Sequence, residues 1–116
     1  MTDFIDFIKK GEFRITICLS CRKKIWPPSS FCSYCLSKTK FRKIKNGGIL
    51  REYVYSYRNP DYQKITFGII DLSGILLIGS ICATTVYRGM KVKMTSCGIS
   101  PDGKIFYHFA PSFEKQ

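Results

Sequence analysis

Residues 18–35 read Cys18-Leu19-Ser20-Cys21-Arg22-Lys23-Lys24-Ile25-Trp26-Pro27-Pro28-Ser29-Ser30-Phe31-Cys32-Ser33-Tyr34-Cys35, two CxxC pairs with ten residues between them. Two thiolates three positions apart can hold one side of a tetrahedral ion from a single tight turn, and a second such pair closes the other side. With Cys18, Cys21, Cys32 and Cys35 as ligands, protein fills all four positions and leaves none for water or substrate. The expected ion is a structural Zn2+, with iron as the minor alternative, and its task is to hold the fold. Disulfides are the competing use of such cysteines. The chain opens Met1-Thr2-Asp3-Phe4, without a basic n-region, a long apolar h-region or a small-residue cleavage site, so the expected compartment is the reducing cytoplasm. A thioredoxin-like motif needs one CxxC at a helix N-terminus in a βαβ unit, and these pairs sit in a Pro- and Ser-containing stretch. Cys82 and Cys97 each stand alone in apolar or strand-like surroundings and are read as small buried hydrophobes outside the metal site.

Outward from the cysteines, 116 residues make one domain, or two very small ones if a metal supports the smaller. An N-terminal helix and zinc ribbon are expected in 1–45 and a barrel domain in 46–116. Phe4, Ile5 and Ile8 lie at helical spacing, with Asp3 and Asp6 near the start, Lys9 and Lys10 near the end, and Gly11 as a stop. A helix of two turns is marginal alone and must pack on its own chain or on a partner. Phe4, Ile5 and Ile8, together with Trp26 on the rigid Pro27-Pro28 loop, are therefore candidate partner-docking residues. A place in the chain's own core is the alternative.

Asn46-Gly47-Gly48 is turn chemistry and begins a different texture. Five strands are predicted, over 49–57, 64–71, 74–82, 91–97 and 104–109, joined by turns rich in Gly, Pro, Asp and Ser. Tyr53, Tyr55 and Tyr57 share one face of the first, with Val54 on the other. Five short antiparallel strands with a longer connection after the third suggest a small Greek-key barrel of the oligonucleotide/oligosaccharide-binding (OB) type. The apolar run 67–83 is too short to span a membrane and carries Asp71, Ser73 and Gly74 in its middle, so it reads as two buried strands around a tight turn.

Net charge is +11. Four thiolates around one divalent ion carry −2 and bring the holo protein to about +9. From residue 22 to residue 51 the chain has nine basic residues and no acidic one. Such a one-sign field is either a solvated face or an anion-binding surface for nucleic acid, an acidic protein or a phosphate-rich cofactor. Lys38, Lys40, Arg42, Lys43 and Lys45 are the candidate anion-binding cations, and Tyr53, Tyr55 and Tyr57 the candidate stacking row. Enzyme signatures are poor. The single histidine, His108, sits in a late strand with no serine or free cysteine beside it in sequence, and no glycine-rich phosphate loop opens a helix. No catalytic residue is assigned.

The order of amphipathic helix, Gly11-Glu12-Phe13, Cys18-x-x-Cys21, Pro27-Pro28, Cys32-x-x-Cys35, basic strand, Gly47-Gly48, five strands, Gly89-Met90-Lys91-Val92 and Phe109-Ala110-Pro111 resembles the zinc-ribbon/OB-fold acyl-CoA-associated family, long known only as a domain of unknown function. The resemblance spans about residues 4–111. It implies a mainly β protein with a short N-terminal helix, a rubredoxin-like zinc ribbon and a five-stranded OB-fold barrel. It further implies a non-catalytic subunit that accompanies a thiolase, bridges acetoacetyl-CoA thiolase and hydroxymethylglutaryl-CoA synthase at the head of the mevalonate route, and contributes to a site for coenzyme A or acyl-CoA. The alternative function is a single-stranded nucleic-acid-binding ribbon/OB protein, which needs the same basic groove and stacking rings. Two departures stand out. Arg22 and Leu36 follow the second cysteine of each pair where family knuckles commonly carry Gly, so both turns must accept a side chain, and Ser29 follows Pro-Pro where the family often has Arg.

Overall fold

The computed structural model describes residues 2–58 and 63–112, and the chain divides into two compact units, Met1–Ile44 and Lys45–Gln116. The first contains α1 (Thr2–Lys9), β1 (Arg14–Cys18), β2 (Lys24–Ile25) and β3 (Thr39–Lys43), the strands forming an antiparallel sheet in the order β2-β1-β3. Gly11 ends the helix at φ 78°. Its amide reaches the Ile8 carbonyl at 2.9 Å and the Glu12 amide reaches that of Phe7 at 2.9 Å, the paired closure in which glycine at the left-handed position satisfies the last carbonyls.

A helix of eight residues takes its stability from packing, and the contacts are within this unit. Phe4 and Ile8, one turn apart, are buried, while Ile5 and Trp26 are half-buried. Trp26 lies between Phe4 and Phe13, with ring centroids 5.6 and 5.4 Å away. Phe7 rests on Phe41 of β3, and the Arg14 guanidinium covers its ring at 4.4 Å. The docking expectation is thereby corrected for Phe4 and Ile8, whose side chains are spent on the internal core. Thr16 is buried in β1 with its hydroxyl satisfied: it donates to the Ile25 carbonyl at 2.7 Å and accepts the Ser29 amide, which ties down the chain just past Pro27-Pro28.

The second unit is a closed five-stranded barrel of β4 (Gly47–Arg58), β5 (Gln63–Leu72), β6 (Ile75–Ile81), β7 (Lys91–Ile99) and β8 (Ile105–Pro111), in the order β4-β5-β6-β8-β7 with β7 returning to β4. The connection expected over 58–63 is shorter than that, since Arg58 ends β4 and Gln63 begins β5, and its residues 59–62, with Pro60, lie outside the described residues. One junction departs from the all-antiparallel expectation: β6 and β8 run parallel, with Ile81 opposite Phe109. An odd number of strands cannot alternate direction all the way round a ring, so closure requires one parallel neighbour. Alternation places Ile75, Leu77 and Ile81 of β6 inward, against Leu50, Ile70 and Phe109. Each such side chain contributes about 1.5–3 kcal/mol through burial.

Gly74, expected to begin a strand, instead completes the β5–β6 turn with Ser73, at φ 89° and 54°. Positive φ at both central residues matches the twist of a tight hairpin, and the Asp71 carboxylate accepts the Gly74 amide at 2.8 Å. The apolar run that raised the membrane question is thus β5, a turn and β6. No helix among the described residues is long and apolar enough to cross a membrane.

Candidate metal centre

The two CxxC turns are built alike. In each, the carbonyl of the first cysteine accepts the amide four residues on, Arg22 to Cys18 at 3.2 Å and Leu36 to Cys32 at 3.0 Å. The first cysteine's own amide donates to the carbonyl five residues on, to Lys23 at 3.0 Å and to Ser37 at 2.8 Å. That closure is tight enough to drive Arg22 and Leu36 into the left-handed region, each at φ 62°. The side chains at these two positions are therefore carried on a backbone geometry that favours glycine.

Four sulfurs converge from these turns, all within 4.8 Å of one another. Two pairs cross between the turns: Cys18 to Cys35 at 3.4 Å and Cys21 to Cys32 at 3.7 Å. Four sulfurs at 2.3 Å from a tetrahedral zinc would stand about 3.8 Å apart, so the cage has the right size. The amides of Ser20 and Cys21 point at the Cys18 sulfur, and that of Tyr34 at the Cys32 sulfur, each at 3.3 Å, as donors favouring thiolate. Left to themselves the four sulfurs conflict. The Ser37 hydroxyl and amide hold Cys35 down to about 6. For Cys21 the Lys23 amide acts downward, but desolvation and the neighbouring sulfurs outweigh it and push the thiol up to about 11. A divalent cation removes that conflict, so the residues present fit a structural zinc. Cys97 is buried as expected. Cys82 is exposed, contrary to the sequence reading, because alternation along β6 turns Ile81 inward and Cys82 out.

The candidate anion-binding residues are placed on both units. Lys38, Lys40, Arg42 and Lys43 are exposed on and just before β3, where Lys40 and Arg42 share a face and stand opposite Ile17 and Ile15. Lys45 is exposed at the start of the second unit. On β4, Tyr53 is half-buried and Tyr55 exposed, their rings edge to face at 5.6 Å. The side chain of Tyr57 lies outside what the structure describes. Val54, on the opposite face, is exposed too, since β4 pairs with β7 only over Gly47–Ile49 and its second half is flanked by β5 alone.

One arrangement was not legible in the sequence. Ser96 of β7 stands opposite His108 of β8, and its hydroxyl lies 3.2 Å from the Nδ1 atom. A register shift between Met94 and Ser96 creates this pair, and without it Thr95 would face the histidine. Both partners are exposed, and among the described residues no carboxylate bonds the other ring nitrogen. With no third group to orient the imidazole, the pair is not a triad.

The comparisons with known proteins bear on both units. Residues 6–41 match the family described as ChsH2, rubredoxin-like zinc ribbon domain. No curated protein matches the chain in sequence. Among solved structures, one described as "Ltp2-ChsH2(DUF35) aldolase" aligns with TM-score 0.79 at 18% identity, over 97% of this chain and 94% of that one. A protein of unknown function from the DUF35 family of Sulfolobus solfataricus aligns with TM-score 0.63 at 18% identity, over 96% of this chain and 84% of its own. The chain thus carries a rubredoxin-like zinc ribbon of the ChsH2 kind on a fold shared with DUF35 proteins.

Proposed function

We propose that this chain is a non-catalytic zinc-ribbon/OB-fold subunit that docks an acyl-CoA enzyme of the thiolase type and helps hold its coenzyme A. The observation that carries the reading is the combination of the ribbon match over residues 6–41 with a fold shared, along nearly its whole length, with a ChsH2(DUF35) chain named together with Ltp2 in an aldolase. A tetrathiolate cage with no open position supports a structural rather than a chemical part for the metal. Exposed Lys38, Lys40 and Arg42 on the ribbon support an anion-binding role for that unit. The Tyr53–Tyr55 pair of the barrel, taken by itself, supports stacking or packing against a ring. The order of motifs supports the finer form, a bridge between acetoacetyl-CoA thiolase and hydroxymethylglutaryl-CoA synthase in the cytoplasm.

The deciding experiment is purification of the tagged chain from its native cells, with the associated proteins identified by mass spectrometry. A thiolase-type enzyme in stoichiometric amount supports the reading. Recovery of the chain alone, or with nucleic acid that resists high salt, overturns it.

A further inference from the structure

The zinc end of the ribbon combines two costly features at one residue. Leu36 is held at φ 62°, where a Cβ is disfavoured, and its apolar side chain is 77% exposed. Glycine would remove both costs, and nothing in the metal site needs a side chain there. Strain kept at an exposed apolar residue points to a use outside the chain's own core. Leu36 also has company. Tyr34 is 68%, Phe31 56% and Leu19 54% exposed.

These residues form one surface because the metal cage holds the two turns side by side. Leu19 lies between Cys18 and Cys21, Tyr34 between Cys32 and Cys35, and the four sulfurs are within 4.8 Å. Lys23, just past the first turn, places its ammonium 4.1 Å from the centre of the Tyr34 ring on the second. The Leu19 amide bonds to the Lys38 carbonyl at 3.0 Å, and Lys38 pairs in turn with Phe31. Around this apolar centre Arg22, Lys23 and Lys38 are exposed, in a stretch without an acidic residue.

We propose that the zinc end of the ribbon is the docking face of this subunit, and that it seats Leu36, Tyr34 and Leu19 in an apolar patch rimmed by carboxylates on the partner enzyme. This rests on the reading of the chain as an enzyme-docking subunit and names the surface that does it. An apolar centre with a rim of one charge fits a protein whose surface has the opposite rim, and the charge sets orientation and association rate. Single-stranded nucleic acid fits less well, since leucine has no π-face on which a base can stack.

Leu36→Gly is the test variant because glycine suits the left-handed backbone at that position. Binding of a recombinant thiolase-type enzyme from the same organism is measured by calorimetry for the wild type, Leu36→Gly and Lys23→Glu, alongside zinc content and melting temperature. The expected result is binding weakened at least about tenfold by Leu36→Gly, with zinc unchanged and the melting temperature equal or higher. Lys23→Glu, followed by stopped-flow mixing as well, slows association and flattens its salt dependence. If the wild type binds and Leu36→Gly binds equally well, this docking face is wrong while the docking function stands. A wild type that does not bind the enzyme at all overturns the function and this face with it. A dT20 oligonucleotide held at high salt and released by Tyr34→Ala would overturn the face in favour of nucleic acid.

Discussion

Gly68 and Gly79 face each other across the β5–β6 ladder on the inside of the barrel. The space their side chains would take is already filled. A Cβ on Gly79 would come within 2.6 Å of the Phe109 ring and of the Tyr107 carbonyl oxygen, and one on Gly68 would run into Leu50 and Ile81. The paired glycines let the barrel close around one large ring. Gly79→Ala, which collides with a backbone oxygen that cannot yield, should therefore destabilise the barrel by about 1–3 kcal/mol in denaturant titration. Its zinc content should stay that of the wild type, because the ribbon is a separate unit.

Of the six cysteines, Cys18, Cys21, Cys32 and Cys35 are the ones placed to hold a metal. Elemental analysis should give about one zinc per chain, and Cys32→Ser should lose both the metal and the order of residues 14–43. Cys82→Ser and Cys97→Ser should retain it. Strong chelator should unfold the ribbon, and zinc should be released progressively as pH falls, since protons compete for all four thiolates. A metal content lowered in Cys97→Ser would mean that the ligand set is wrong.

Burial separates two residues of the α1 stripe that the sequence treated together. Phe4 is 7% exposed against Trp26, whereas Ile5 is only half-buried. Phe4→Ala should cost about 3–5 kcal/mol and lower the melting temperature of the isolated protein by many degrees. The effect of Ile5→Ala should be clearly smaller. Equal and small effects from both would return Phe4 to the list of docking residues.

Coenzyme and nucleic acid can be separated in one titration series. Coenzyme A is expected to bind in the presence of the thiolase partner, and Tyr55→Ala to weaken it if the ring stacks the adenine. A short single-stranded oligonucleotide should bind weakly and fade steeply with salt, as charge alone requires. Oligonucleotide binding that survives high salt and disappears in Tyr55→Ala would instead favour the nucleic-acid function.

Residue type and spacing determined the metal ligands, the helix stop at Gly11, and the break into ribbon and strands. Each depends on neighbours a few positions apart, because chelation by a CxxC turn, a left-handed glycine and a change from turn residues to strand-forming runs are local chemistry. Which face of β6 turns inward was not legible, since Ile75, Leu76, Leu77 and Ile78 are all apolar and only Ile75 and Leu77 are buried. Tertiary structure decided what depends on partners distant in the chain. The parallel β6–β8 junction follows from closing a ring of five strands, and Ser96 meets His108 only through a register shift in β7. Whether Phe4 was core or interface turned on Trp26, itself packed on Phe13, coming round to cover its ring. Leu36 could be flagged in sequence as the wrong residue for its turn, but its exposure at the zinc end is set by how the metal cage brings two separate turns together. An apolar side chain is indistinguishable in sequence whether it is buried or presented, since burial is a property of what surrounds it.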